Sequence, residues 1–302
     1  MNQSLSPSDR YLQALAPGSR RTMTQAVGVL EGLLTGDEKA GPDWAELGRE
    51  DVLTLRRQLA ERYAPSTANK MLAAFRGVMR ACRDAGNISE RQFQELTGFD
   101  RVPDAPPVES RVLSNTELDH LFAACDADGT AAGRRDAALL TVYLEAGLRR
   151  EEATALAAAS ADLEAGELMI DSPINERRRR VPLTEGGRAR LEHWLEARGE
   201  GSGPLLCPVD KGGTIRPRKM SAQSVYAAVA RVGAAAGVDS VTPRDLRRTC
   251  LVQLIRVGLD ADALRQRVGH LSWLTTAAYA QLAAEAAGRK PWQIPPPREG
   301  ER

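Results

Sequence analysis

Gly166-Glu167-Leu168-Met169-Ile170, a polar break, then Arg179-Arg180-Val181-Pro182-Leu183 is the passage on which the fold turns. Two short runs bounded by polar and turn-forming residues predict an antiparallel hairpin. On both sides the apolar period is helical. Leu113-Ser114-Asn115-Thr116-Glu117-Leu118 opens a helix, with Ser114 as cap and Glu117 three residues on as its capping-box partner. Arg134 to Ala146 continues as an apolar helix. Downstream, Thr184–Arg198, Ser221–Ala236, Arg244–Val257 and Asp260–Val268 all read as helices. The expectation is a mostly helical domain holding one small antiparallel sheet.

Upstream, Ser8 to Leu96 reads as a helical bundle. Ser19 is the expected cap of a helix through Ala26, Val29 and Leu33. Gly36 to Pro42 breaks it. Arg49-Glu50-Asp51 opens a second helix, and Ser66-Thr67 a third that runs through Met71, Leu72, Phe75, Val78 and Met79 to a stop at Gly86-Asn87. The Pro103–Pro107 stretch, PDAPP, predicts an extended linker. The boundaries follow: a helical domain over 1–102, a linker over 103–109, a larger domain over 110–290, and a proline-rich, charged tail over 291–302 predicted to be mobile. The fold class is mainly α.

Composition narrows the setting. With 42% hydrophobic and 27% charged residues in 302, the chain has a soluble globular profile. No apolar run approaches the roughly 20 residues that span a bilayer. The start, MNQSLSPSDR, lacks a basic stretch followed by an apolar one, so the expected location is the cytoplasm. Cys82, Cys125, Cys207 and Cys250 are widely spaced and read as reduced core thiols. With only His120, His193 and His270 available, no metal site and no cofactor is expected.

Charge is unevenly spread. Residues 1–107 carry 14 Lys and Arg against 14 Asp and Glu, whereas residues 172–248 carry 15 against 8, a local +7. A cationic region of that kind suits a polyanion such as DNA.

Three stretches hold the residues for phosphate chemistry: Gly147-Leu148-Arg149-Arg150-Glu151-Glu152, Pro243-Arg244-Asp245-Leu246-Arg247-Arg248-Thr249, and Gly269-His270 followed by Tyr279. Attack on a phosphodiester builds charge on the non-bridging oxygens. Arginine answers it with a planar, permanently charged fork of donors. Two arginines from separate segments can clamp one phosphate, and such preorganised charge is usually the largest catalytic contribution. A tyrosine hydroxyl can attack and keep the bond energy in a covalent phosphoester. A nearby histidine can donate a hydrogen bond or move a proton near neutral pH. Singly, each residue has an ordinary structural reading; their joint occurrence in this order does not.

The three stretches together resemble the active-site boxes of the tyrosine recombinases of the phage integrase type. Gly147-Leu148-Arg149-x-x-Glu152 is similar to their first arginine box. Pro243 to Thr249 is similar to the second, and Gly269-His270 with Tyr279 to the third. The likeness covers about Leu113 to Leu282, and the N-terminal bundle is similar in general pattern to the family's core-binding domain. It implies site-specific cutting and rejoining of duplex DNA, as in phage and other mobile-element integration, by a tetramer on DNA. Arg149 and Arg247 would clamp the scissile phosphate, with Arg244 and His270 beside them. Glu152 would brace the first arginine. Tyr279 would form a 3′-phosphotyrosyl bond and release a 5′-hydroxyl. Arg20, Arg21, Lys70 and Arg76 in the bundle and Arg178 and Arg179 in the hairpin are candidate DNA contacts. The chain end, with a helix over Ala283–Gly288, would dock on a neighbouring protomer.

Two positions depart from the family pattern. Arg244 stands where the family has His or Lys. Ile174 falls near the hairpin lysine that protonates the leaving oxygen, and no lysine lies between Lys70 and Lys211. Arg177 can replace the charge but is a poor proton donor. A catalytically weakened or non-catalytic DNA-binding member of the same fold is therefore the alternative. A type IB topoisomerase and a helical interaction scaffold are the more distant ones.

Overall fold

The computed structural model describes residues 5–36, 41–103, 111–172, 178–199, 201–269 and 293–297. The chain divides into two compact units, Met1–Glu109 and Ser110–Arg302.

The first unit is built from five helices: α1 (Pro7–Gln13), α2 (Pro17–Thr35), α3 (Arg49–Arg62), α4 (Pro65–Asp84) and α5 (Glu90–Thr97). Helix α4 is the axis of its core. Leu72, Phe75, Val78, Met79 and Cys82 on it are fully buried. Gly77 lets α1 lie close, because a Cβ there would run into the Tyr11 ring. Proline sets two starts that hydroxyls were expected to set. Helix α2 begins at Pro17, with Ala16 and not Ser19 in the cap position, and α4 begins at Pro65. The reason is that proline at the first helical position gives up no hydrogen bond and has its φ already fixed. Helix α3 opens at Arg49, with the Asp51 carboxylate accepting from the Gly48 N–H at 2.8 Å.

The second unit packs α6 (Asn115–Asp128), α7 (Ala131–Ala146), α8 (Arg150–Ala155), α9 (Glu185–Arg198), α10 (Ala222–Ala235) and the start of α11 (Pro243–Arg256) around a main core, while α11 and α12 (Ala261–Val268) close a smaller cluster of Cys250, Leu251, Leu264 and Val268. The Ser114–Glu117 capping box forms at the start of α6, with Glu117 N donating to Ser114 Oγ at 3.2 Å and Ser114 N to Glu117 Oε2 at 2.8 Å. The hairpin is β2 (Glu167–Asp171) with β3 (Arg178–Pro182), antiparallel, placing Leu168 opposite Val181 and Ile170 opposite Arg179. A two-residue strand, β1 (Ala161–Asp162), adds to its edge in the order β1-β2-β3. So the described residues form a mainly helical protein with a small antiparallel sheet.

The mobile-tail expectation needs correction at residues 293–297. Ile294 is 7% exposed and belongs to the core. It lies against Gly186 on α9, where a Cβ would collide with the Ile294 carbonyl. The buried Arg190 guanidinium donates to Pro295 O at 2.7 Å and Pro296 O at 2.9 Å while paired with Asp126 at 2.6 Å. Prolines leave their own and the preceding carbonyls available, and a buried arginine takes them. All four cysteines are buried and free, as expected of core thiols. No described helix is long and apolar enough to cross a membrane, and the described residues contain no cluster of metal-ligating side chains.

Candidate active site

The site begins with a glycine. Helix α7 ends at Gly147, whose φ of +53° is in the left-handed region that suits glycine. Space enforces the same choice, since a Cβ there would lie 3.0 Å from Leu251 Cδ1 and 3.3 Å from Cys250 Sγ. The fully buried Leu148 then anchors the chain, and Arg149 takes the cap position of α8. The Gly-Leu-Arg order thus turns the backbone sharply between two helices and presents Arg149 at the turn.

The second arginine box is a helix start. Thr242 caps α11: Asp245 N donates to Thr242 Oγ1 at 3.2 Å, and Thr242 N donates to Asp245 Oδ2 at 2.9 Å. Asp245 also accepts from Arg111 N at 2.9 Å, and Thr249 Oγ1 accepts from Leu113 N at 2.9 Å. These two buried box residues fasten the start of the second unit. Arg244 and Arg247, three residues apart, share one face of α11. Arg244 is exposed and Arg247 partly buried. Arg247 Nη1 donates to the carbonyl of Gly147, which joins the two boxes directly.

Arg149, Arg244 and Arg247 come together on one open cleft, with Tyr143, Arg150 and Tyr226 also on its walls. Three arginines on the walls of one concave surface make it a candidate anion site. Tyr143 is buried, and burial pushes its hydroxyl well above the usual tyrosine range, so it is no ready nucleophile. Tyr226, on α10, is 45% exposed.

Beneath Arg149 lies Glu152, whose carboxylate is sealed from solvent. It accepts from Arg149 N at 2.8 Å and takes two parallel bonds from Arg179, at 2.9 and 3.0 Å. Arg149 Nη1 stands 3.5 Å from the same carboxylate. Burial works to raise the Glu152 pKa, but the Arg179 bonds and the Arg149 N–H together hold it below the usual carboxylate range.

The sites expected at the DNA surface divide. Arg178 is 69% exposed and pairs with the equally accessible Asp171. Arg21 and Lys70 are exposed. Arg179 is corrected: its side chain is 10% exposed and turned onto Glu152. Strand alternation carried this signal, since Arg179 lies two residues before the buried Val181 and opposite the buried Ile170. Arg20 donates to the carbonyls of Leu12, Gln13 and Leu15 at the end of α1. Arg76 donates to Thr97 O and Phe99 O and stacks over the Phe99 ring at 4.2 Å. Both guanidiniums are committed within their own unit. His270, Tyr279, Arg177 and the Ala283–Gly288 segment lie outside the described residues.

The Phage integrase family model matches residues 111–286, more than half of the chain. Tyrosine recombinase XerD of Xanthomonas campestris pv. campestris is 30% identical over 280 residues, covering 88% of this chain and 84% of that protein. The chain belongs to the tyrosine recombinase family. Tyrosine recombinase XerC of Roseiflexus castenholzii is 26% identical over 268 residues, covering 85% of this chain and 81% of its own. Among solved structures, the Tn1549 transposon integrase in complex with transposon right end DNA superposes with a TM-score of 0.71 at 14% identity, over 93% of this chain and 98% of that one. A lambda integrase dimer bound to a COC′ core site superposes at 0.67 and 13% identity, over 95% and 96%. At those identities the structural likeness speaks for the fold. The recombinase is a site-specific DNA strand-breaking and rejoining enzyme. The matched region takes in the cleft, both arginine boxes and the hairpin.

Proposed function

We propose that this recombinase holds duplex DNA at a specific recombination site and cuts one strand by attack of the Tyr279 hydroxyl on the scissile phosphate. The Tyr279 hydroxyl gives its proton to solvent as a 3′-phosphotyrosyl bond forms, the bond to the 5′ oxygen breaks, and that oxygen takes up a proton from solvent. The 5′-hydroxyl released from the partner strand then attacks the phosphotyrosyl bond, forming the new phosphodiester and freeing Tyr279. Arg149 and Arg247 bind the non-bridging oxygens, Arg244 adds a third positive charge, and His270 supports the same phosphate. The observation that carries this reading is the convergence of Arg149, Arg244 and Arg247 on one cleft from two helix starts nearly a hundred residues apart. Fixed cations placed where charge develops need no rearrangement during the reaction.

The proposed assembly is a tetramer on DNA. The lambda integrase tetramer bound to a Holliday junction, similar in fold at a TM-score of 0.68 and 12% identity, is consistent with it. Exposed Arg21, Lys70 and Arg178 are proposed to contact backbone phosphates, and Arg177 to substitute for the hairpin lysine by charge.

The test is covalent trapping. The protein is mixed with nicked duplexes tiled from the DNA flanking its own gene, denatured, and resolved beside Tyr279→Phe. A denaturant-stable adduct that Tyr279→Phe cannot form supports the reading. Sequence-specific binding with no adduct on the same duplex overturns it in favour of a non-catalytic DNA-binding protein.

A further inference from the structure

We propose that Arg179 is a positioning residue for strand cleavage: by occupying the Glu152 carboxylate, it leaves Arg149 free to hold the scissile phosphate. This rests on the clamp role given to Arg149 above.

The contacts define the device. Arg179 sits on β3, turned inward beside Val181, and ties three parts of the unit together. Two of its nitrogens grip Glu152 at 2.9 and 3.0 Å, and Nε donates to the carbonyl of Arg267 at 2.9 Å. Arg267 is in the last turn of α12, two residues before Gly269, and a Cβ on Gly269 would lie 3.0 Å from Arg179 Nη1. The same side chain therefore fixes the hairpin, the start of α8 and the segment that leads into His270.

Its effect on Arg149 is electrostatic. A sealed carboxylate without a partner would draw in the nearest cation, and that cation is Arg149, whose Nη1 is already 3.5 Å away. With Arg179 seated bidentately, Glu152 needs no further donor. Arg149 Nη2 donates to Gly269 O at 2.9 Å, while Nη1 is buried and makes no hydrogen bond among the described residues. Buried donors are rarely left so. Its nearest acceptor is the Glu152 carboxylate at 3.5 Å, already taken by Arg179, so Arg149 is not drawn into a full hydrogen bond there. The pair also explains why Arg rather than Lys stands at 179, since only a planar fork makes two parallel bonds and a third to a carbonyl.

The experiment measures the single-turnover rate of adduct formation at saturating nicked duplex, beside duplex affinity and Tm. Variants are Arg179→Met, Arg179→Lys, Arg149→Lys, the Arg149→Lys/Arg179→Met double, and Val181→Ala as a strand control. Arg179→Met is expected to slow adduct formation roughly 10- to 100-fold with duplex affinity held within about threefold, and Arg179→Lys is expected to fall between it and wild type. If Arg179 acts through Arg149, its loss from Arg149→Lys is expected to slow the rate less than about threefold further, because coupled residues are non-additive. Equal losses in both backgrounds would overturn the proposal, as would Val181→Ala slowing the rate as much at a matched fall in Tm. If Arg179→Met does not fold, a wild-type rate in Arg179→Lys overturns it. A full rate in Arg149→Lys would instead remove the clamp reading itself, and the proposal with it.

Discussion

Arg247, on helix α11, donates its guanidinium N–H to the carbonyl of Gly147, at the end of helix α7, one hundred residues earlier in the chain. The two arginine boxes are thereby one object: the backbone that turns Arg149 into the cleft also seats Arg247. Gly147→Ala would place a methyl group against Leu251 and Cys250 in a left-handed backbone. The expected cost is about 1–2 kcal/mol from conformation alone, with a larger loss of adduct formation than the fall in Tm accounts for. Thermal melts beside adduct rates check it, and a variant that melts lower yet cleaves at full rate contradicts it.

Arg244 offers a cleaner separation of function from folding. It is exposed at the first turn of α11, on the cleft wall. Arg244→Ala is expected to leave stability within about 0.5 kcal/mol of wild type while lowering the adduct rate. Arg149→Ala and Arg247→Ala are expected to lower it more, by roughly 100- to 1000-fold, the scale for loss of one donor to developing charge.

The buried Glu152 gives a pH signature. Its folded pKa is held below the ordinary carboxylate value, so its charge stabilises the fold above the unfolded value of about 4.3 and that stability is lost as pH falls through the lower folded value. Glu152→Gln leaves Arg179 buried opposite a neutral amide and is expected to cost about 3–5 kcal/mol at pH 7. Denaturant melts from pH 7 down to 3 are expected to show the gap narrowing at the acid end; a gap constant across that range would contradict the assignment.

The seat of the 293–297 segment predicts a stability effect at a distance from the cleft. Gly186→Ala pushes a methyl into the Ile294 backbone, and Ile294→Ala empties a core position. Costs of about 1–3 and 2–5 kcal/mol are expected. Both variants are expected to speed proteolysis near the chain end, which mass mapping of the fragments reads directly. Resistance equal to wild type would mean the segment is not held by this seat.

DNA affinity is expected to fall linearly with salt on logarithmic axes, because phosphate contacts release counterions. Lys70→Ala and Arg21→Ala are each expected to reduce that slope by about one contact. Arg76→Ala is expected to act mainly on stability, since its guanidinium is engaged with Thr97, Phe99 and their backbone.

Much of this protein is written in local sequence. The Ser114–Glu117 capping box and the helix starts at Thr242 and Arg49 are settled by neighbours three or four residues apart, and the hairpin pairs strands no more than 15 residues apart, so these signals are local. The arginine boxes are legible for the same reason, each being a short run at one helix start. What only the tertiary structure decided are the partners. Five arginines of similar appearance, Arg20, Arg76, Arg179, Arg190 and Arg244, end in five different situations: on a helix end, on a carbonyl pair, on a buried carboxylate, beneath a proline segment, and open at the cleft. A guanidinium satisfies any of these acceptors, and which one it meets depends on residues 5 to more than 100 positions away. The same holds for Ile294, whose burial depends on a bare glycine on α9 and whose polar setting looked like tail. Sequence carried the chemistry of the site, and long-range packing decided which of its charges are free to act.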